Sequence, residues 1–375
     1  MKKHFTLLIL LFTVISCDTS KKEAPKEEIL SSAFEDKFYI GAALNTSQYN
    51  GQDQRGIPIV EKHFNSISPE NDLKWERIHP GPDEYNFTES DQFVEFGEAN
   101  NMFIVGHVLV WHSQTPDWVF EDESGNPLDR EALLTRMKDH ITTIVTRYKG
   151  RINGWDVVNE ALNEDGTFRE SKWYNIIGED FIAKAFEYAH AADPDAELYY
   201  NDYNMFNAAK ADGAVRLVKS IQEQGIPVTG IGMQGHYGIN GNPPASEVEA
   251  SIIKFGELGI VAITELDIDV LPPAFEYMGA DISMRADLRE ELNPYTEGMP
   301  DSIKQKQIDA FRSYFEVYLR HSDKINRVTT WGVTDGDSWK NGWPVSGRTN
   351  YALLFDRDGK EKEVVYSLMD MVKDK

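Results

Sequence analysis

The sequence predicts an α/β protein built as a single (β/α)8 TIM barrel, and three observations carry that reading. Short runs of strand character, aliphatic or aromatic at their centres, recur eight times, with stretches of helical periodicity between them. Polar and aromatic residues gather just after those runs, where the βα-loops of a parallel barrel converge above a packed interior. From residue 34 to residue 373 no internal repeat, low-complexity tract or linker divides the chain, so one domain absorbs this whole length.

Taken in order, the predicted strands are Tyr39–Ala43, Ser66–Pro69, Phe103–His107, Ile152–Val158, Glu197–Asn201, Gly230–Met233, Val261–Thr264 and Arg327–Trp331. Helical spacing between them is clearest in Arg130–Tyr148. There Leu133, Leu134, Met137, Ile141, Ile144, Val145 and Tyr148 share one face, and Gly150 stops the run. Trp173–Ala192, Ala211–Gln224 and Ile303–His321 read the same way. One connection is out of scale: residues 270–302 hold Pro272, Pro273, Pro294 and Pro300 and exceed an ordinary βα-loop. Such a segment at the strand-end rim either walls a binding cleft or is an inert insertion.

Two strand ends deliver carboxylates. The run from Ile152 closes in Asn159-Glu160, and the run from Gly259 to Thr264 closes in Glu265-Leu266-Asp267. Paired carboxyl groups across one cleft are the equipment of a glycosidase, where one protonates the leaving oxygen and the other attacks the sugar or activates water. The second strand leads to Glu70, Asn71 and Lys74, and the third to His107, Trp111 and His112. Asn201 and Tyr203 follow the fifth, Gln234 and His236 the sixth, and Trp331, Trp339 and Trp343 the last. Amides bind hydroxyls without adding charge, and aromatic faces stack on sugar rings, although Trp331 is by type equally a core residue. His107 and His112 flank a strand-like Val-Leu-Val with no third ligand at zinc spacing, so neither a metal nor a cofactor is expected.

Four motifs stand in order along the chain: GHVLVWH at 106–112, WDVVNE at 155–160, ITELD at 263–267 and WGVTDGDSW at 331–339. With them the chain resembles the family 10 glycoside hydrolases, the endo-β-1,4-xylanases, from Phe38 to Phe355. The resemblance implies hydrolysis of internal β-1,4-xylosidic bonds with retained configuration, Glu160 serving as acid/base and Glu265 as nucleophile. It implies that Glu70, Asn71 and Lys74 bind sugar on the non-reducing side. His107, paired with Asp156, and Trp111 would contact the sugar beside the nucleophile. His236, backed by Asp267, would stand against Glu265 and favour its charged form. Asn159 would meet the 2-hydroxyl, and Trp339 would wall out the hydroxymethyl group of glucose. Two other readings stay open: a β-1,4-glucanase or mixed-specificity glycosidase on the same fold, and a non-catalytic glycan-binding lipoprotein. The presence of both glutamates argues against the second.

Composition agrees with that class of substrate. The 375 residues carry a formal net charge of −24, which repels phosphate backbones and leaves xylan and xylo-oligosaccharides, not nucleic acid, as expected partners of a monomer. Cys17 is the one cysteine, so no intramolecular disulfide supports the fold. It closes a basic start, Met1-Lys2-Lys3, and an apolar run, Phe5 to Ile15. Residues 1–17 thus resemble a bacterial lipoprotein signal, implying export and acylation of Cys17, with membrane contact through that anchor alone. An ordinary secretory signal is the plain alternative. Residues 18–33, rich in Lys, Glu and Ser, read as a solvated tether.

Overall fold

A computed structural model of the chain describes residues 29–241, 243–274 and 284–373. Its strands are β1 (Tyr39–Leu44), β2 (Ser66–Pro69), β3 (Phe103–Trp111), β4 (Gly154–Asn159), β5 (Glu197–Asp202), β6 (Gly230–Met233), β7 (His236–Gly238), β8 (Ile260–Asp269) and β9 (Ile325–Thr330). They lie in the order β6-β5-β4-β3-β2-β1-β9-β8, and β6 pairs again with β8, which closes the sheet on itself. Each pairing is parallel, so successive strands need crossovers, and these place helices on the outside. The eight-stranded barrel is the one expected; β7 is a short spur beside the end of β8.

The helices follow from their apolar stripes. Over Arg130–Arg147 the side chains of Leu133, Leu134, Met137, Ile141, Ile144 and Val145 are buried, each stabilised by about 1.5–3 kcal/mol relative to exposure. Asp129 caps this helix by accepting from the Ala132 amide at 2.8 Å. The barrel interior is not wholly apolar. Arg327 of β9 is fully buried, with its guanidinium 4.3 Å from the Tyr199 ring centroid and 3.8 Å from Asp156 Oδ1. A buried cation needs such a partner. Asp156 in turn meets His107 Nδ1 at 2.9 Å, so a polar column climbs from the barrel interior to its rim.

Several boundaries differ from expectation. The predicted helix Trp173–Ala192 is two helices, Lys172–Ile177 and Phe181–Ala192, because Gly178 turns the chain at φ 99°. β3 continues to Trp111 and β8 to Asp269, since Val-Leu-Val and Leu-Asp-Ile prolong the strand pattern. The tether expected to reach residue 33 ends sooner. Leu30–Ala33 form a helical turn with Leu30 buried, and the buried Phe34 stacks on Phe38 at 5.3 Å. The leader, Cys17 and the first part of the tether lie outside the described residues.

Candidate active site

Strand register builds the floor of the cleft. Trp111 lies beside Asn159, Asn159 beside Asn201, and Asn201 beside Gly232, one row across four strands. A Cβ at 232 would stand 2.4 Å from Asn201 Oδ1, so glycine there makes room for the amide. Asn201 Nδ2 donates to Asn159 Oδ1 at 3.0 Å and to Glu265 Oε1 at 2.8 Å, while Thr264 Oγ1 donates back to Asn201 Oδ1 at 2.7 Å. Gln234 Nε2 donates to Glu160 Oε1 at 2.9 Å and to Asn159 Oδ1 at 3.3 Å. An unbroken chain of amides therefore joins the two carboxylates. Both are buried, Glu160 at 8% and Glu265 at 5% exposure.

Glu160 leaves β4 in the left-handed region, at φ 57°. That conformation is uncommon outside glycine and is retained where surrounding bonds over-determine it. Here the Glu160 amide donates to Asn201 O at 2.9 Å, and Arg169 Nε donates to Glu160 O at 2.8 Å. The turn directs the side chain into the cleft and onto Gln234.

Glu265 faces a relay. His236 Nε2 lies 3.1 Å from Glu265 Oε2 and its Nδ1 lies 2.9 Å from Asp267 Oδ2, which also accepts from Trp339 Nε1 at 2.8 Å. The β7–β8 pairing sets His236 opposite Asp267. Burial works to lower the His236 pKa, but the charge and hydrogen bond of Asp267, with Glu265, raise it to about 9. Burial likewise works to raise Asp267, and Lys340 and His236 outweigh it, holding that carboxyl below the usual range.

The other half of the cleft carries its own network. Lys74 Nζ donates to Gln114 Oε1 at 2.8 Å and Asn71 Oδ1 at 3.1 Å, and lies 5.0 Å from the Trp111 ring centroid. Burial lowers the Lys74 pKa against the pull of Glu70, Glu265 and Glu160. Burial raises Glu70, with Lys74 opposing. At the floor the Trp331 ring meets His107 edge-on at 5.2 Å. The two aromatic rings of Trp339 and Trp343 stack at 5.1 Å on the wall. Together these groups line a cleft of about 710 Å³, a size suited to a small-molecule or short-polymer ligand. Among the described residues no group of three or more His, Cys, Asp and Glu is arranged to hold a metal ion.

Residues 29–371 match the family model for glycosyl hydrolase family 10. The chain belongs to that family. It is 47% identical over 335 residues to the endo-1,4-beta-xylanase A of Xylanibacter ruminicola, covering 89% of this chain and 90% of that protein. It is 38% identical over 379 residues to a beta-1,4-xylanase of Dictyoglomus thermophilum, covering 98% and 99%. Among solved structures, a family 10 endoxylanase from a sugarcane soil metagenome superposes with a TM-score of 0.86 at 44% identity, over 92% of this chain and 99% of that one. A mutant solved in complex with xylotriose superposes at 0.81 with 36% identity, over 92% and 99%. The protein is thus a glycoside hydrolase.

In this family 10 enzyme the residues expected to touch substrate converge on one rim, with one exception. Asn201 was expected to touch sugar; it is fully buried behind the floor, spending its amide on Asn159 and Glu265. Asp267, expected to back His236, does so from a fully buried position. All the other expected substrate-binding side chains line the cleft. Sequence reasoning missed Gln114, Arg169, Asp202, Lys210, Arg285 and Lys340. Gln114 sits at φ 46° and ties Lys74 to Glu76, and no local pattern announces it. Arg285, on the described part of the long segment after β8, also lines the cleft.

Proposed function

We propose that this family 10 hydrolase is an endo-β-1,4-xylanase that cleaves internal xylosidic bonds by double displacement. Glu265 attacks the anomeric carbon and forms an ester bond to it while the bond to the leaving oxygen breaks. Glu160 delivers a proton to that oxygen, then takes one from the water that displaces Glu265, so the configuration is retained. The observation that carries the assignment is the asymmetry of the two carboxylates. Glu265 abuts His236, which Asp267 backs and raises to about 9, and accepts from the Asn201 amide. Glu160 is bound by the neutral Gln234 and Asn159 amides, an environment suited to a group that alternates between acid and base.

Binding follows from the rest of the cleft. Lys74, Asn71 and Glu70 offer donors and acceptors for vicinal hydroxyls on the non-reducing side, Asn159 meets the 2-hydroxyl, and Trp339 leaves no space for a hydroxymethyl group. Relatives named as xylanases and the related mutant bound to xylotriose support xylan as the polymer. Incubation with xylan should release reducing ends, with β-xylose configuration first seen by NMR, and carboxymethyl cellulose should be cleaved far more slowly. An initial α-anomer, or faster cleavage of the cellulose derivative, refutes the proposal. Export as a lipoprotein acylated at Cys17 is part of the same reading, supported by the basic start, the short apolar run and the polar stretch after it.

A further inference from the structure

Beneath the segment that carries Glu160 lies an ion pair the chemistry above does not use. Lys210, on the helix Ala208–Glu223, and Asp202, the last residue of β5, have fully buried side chains with Nζ 2.9 Å from Oδ1. Such a pair is seldom a net source of stability compared with apolar side chains of similar volume. Its bonds point elsewhere. Asp202 Oδ2 accepts from the Leu162 amide at 3.4 Å and from Tyr200 Oη at 2.5 Å, and Tyr200 Oη itself accepts from the Ala161 amide at 3.1 Å. Asp202 Oδ1 accepts from the Tyr203 amide at 2.9 Å. Lys210 Nζ sits 3.5 Å from the centroid of the Tyr203 ring, which lines the cleft, and 3.3 Å from Glu164 Oε1. Arg169 completes the cage, donating to Glu160 O, Leu162 O and Tyr203 Oη at 2.8, 3.4 and 2.8 Å.

We propose that the Asp202–Lys210 pair positions the acid/base glutamate for proton transfer, fixing the backbone of residues 160–162 and the Tyr203 ring as one unit and balancing charge beneath Glu160. The inference rests on Glu160 being the acid/base. Electrostatics point the same way. Burial pushes the Asp202 carboxyl up to about 6, Lys210 opposes the rise, and the charge of Glu160 adds to it. The charged and titratable groups around the pair are Glu160, Glu164 and Arg169 from the segment after β4, and Tyr200 and Tyr203 from β5 and its end. Just past the end of β6, the Gln234 backbone amide donates to Asp202 O at 3.1 Å.

A positioning role predicts a selective defect. Xylohexaose needs a proton on its leaving oxygen, whereas dinitrophenyl β-xylobioside expels its leaving group without one. The charge-balanced double variant Asp202→Asn/Lys210→Met should melt close to wild type and keep its KM for xylohexaose. It should lose kcat on that substrate by about 10-fold or more, a part of the roughly 10²–10⁴ that proton transfer contributes. Its kcat/KM on the dinitrophenyl glycoside should stay within about two-fold of wild type, since that step skips the proton transfer. Asp202→Asn alone removes the buried carboxylate that balances Lys210, leaving it only the half-exposed Glu164, and should move the alkaline limb of kcat/KM on xylohexaose down by about one pH unit. Equal losses on both substrates, or none on either, overturn the proposal, as does an unmoved alkaline limb in a folded Asp202→Asn variant. If that variant does not fold, the double variant decides. A Glu160→Ala variant that loses the dinitrophenyl glycoside as completely as xylohexaose overturns the acid/base role itself, and the positioning role with it.

Discussion

The relay behind Glu265 makes a prediction that can be worked in numbers. Asp267→Asn keeps the size of the side chain and removes the charge that faces His236 at 2.9 Å and accepts from Trp339 at 2.8 Å. His236 is raised from 6.5 to about 9 in the folded enzyme, a gap equivalent to about 3 kcal/mol of stability. The sign follows from the folded value being the higher one. That stability is fully present below about pH 6.5 and disappears as the pH rises through about 9. Removing one opposing charge should lower the His236 value by roughly 1–3 units. Wild type should therefore exceed Asp267→Asn in stability most at pH 6, and the gap should narrow by up to about 3 kcal/mol on going to pH 10. Guanidinium denaturation at each pH measures the gap, and NMR of the His236 ring measures the titration directly. A ring that still titrates near pH 9 in the variant, or a stability gap that does not change with pH, refutes the relay as drawn.

The remaining predictions address chemistry, specificity and location. Glu265→Ala should abolish turnover of every substrate, whereas Glu160→Ala should still form the glycosyl intermediate from aryl glycosides with good leaving groups and regain turnover with azide. The rescued product should be the β-glycosyl azide; an α-azide identified by NMR reverses the roles. Trp339→Ala removes both the wall and a donor to Asp267, so absolute rates should fall, but the ratio of cellobioside to xylobioside cleavage should rise. An unchanged ratio places selectivity elsewhere. Cys17→Ser should release the enzyme from the membrane fraction or leave it unprocessed, and normal membrane retention on fractionation refutes the lipid anchor.

Much of the barrel was legible because its strands announce themselves twice, by β-branched runs and by polar residues at their ends. Glu160 and Glu265 were found that way, each sitting within two residues of the end of a predicted strand. What escaped depends on tertiary geometry. The break at Gly178 was hidden because the apolar spacing resumes in phase at Phe181, so periodicity alone reads through the turn. Asn201 looked like a sugar ligand because its position after a strand is the same as that of Gln234; only the register beside Gly232 shows it to be sunk behind the floor. Lys210, a cation in the first turn of an otherwise ordinary amphipathic helix, gives no sign in sequence that it is fully buried beneath the cleft.

The backbone of Glu160 at φ 57° also bears on how this enzyme responds to selection. Glycine enters that region without the cost of about 1 kcal/mol or more that a Cβ atom incurs there, and asparagine enters it more readily than glutamate does. A library screened for heat resistance alone should accordingly accumulate Glu160→Gly and Glu160→Asn, robust proteins with no useful turnover. Activity at this position is then something each generation must be tested for, and a thermostabilisation campaign that does not assay hydrolysis at every round will select against its own purpose.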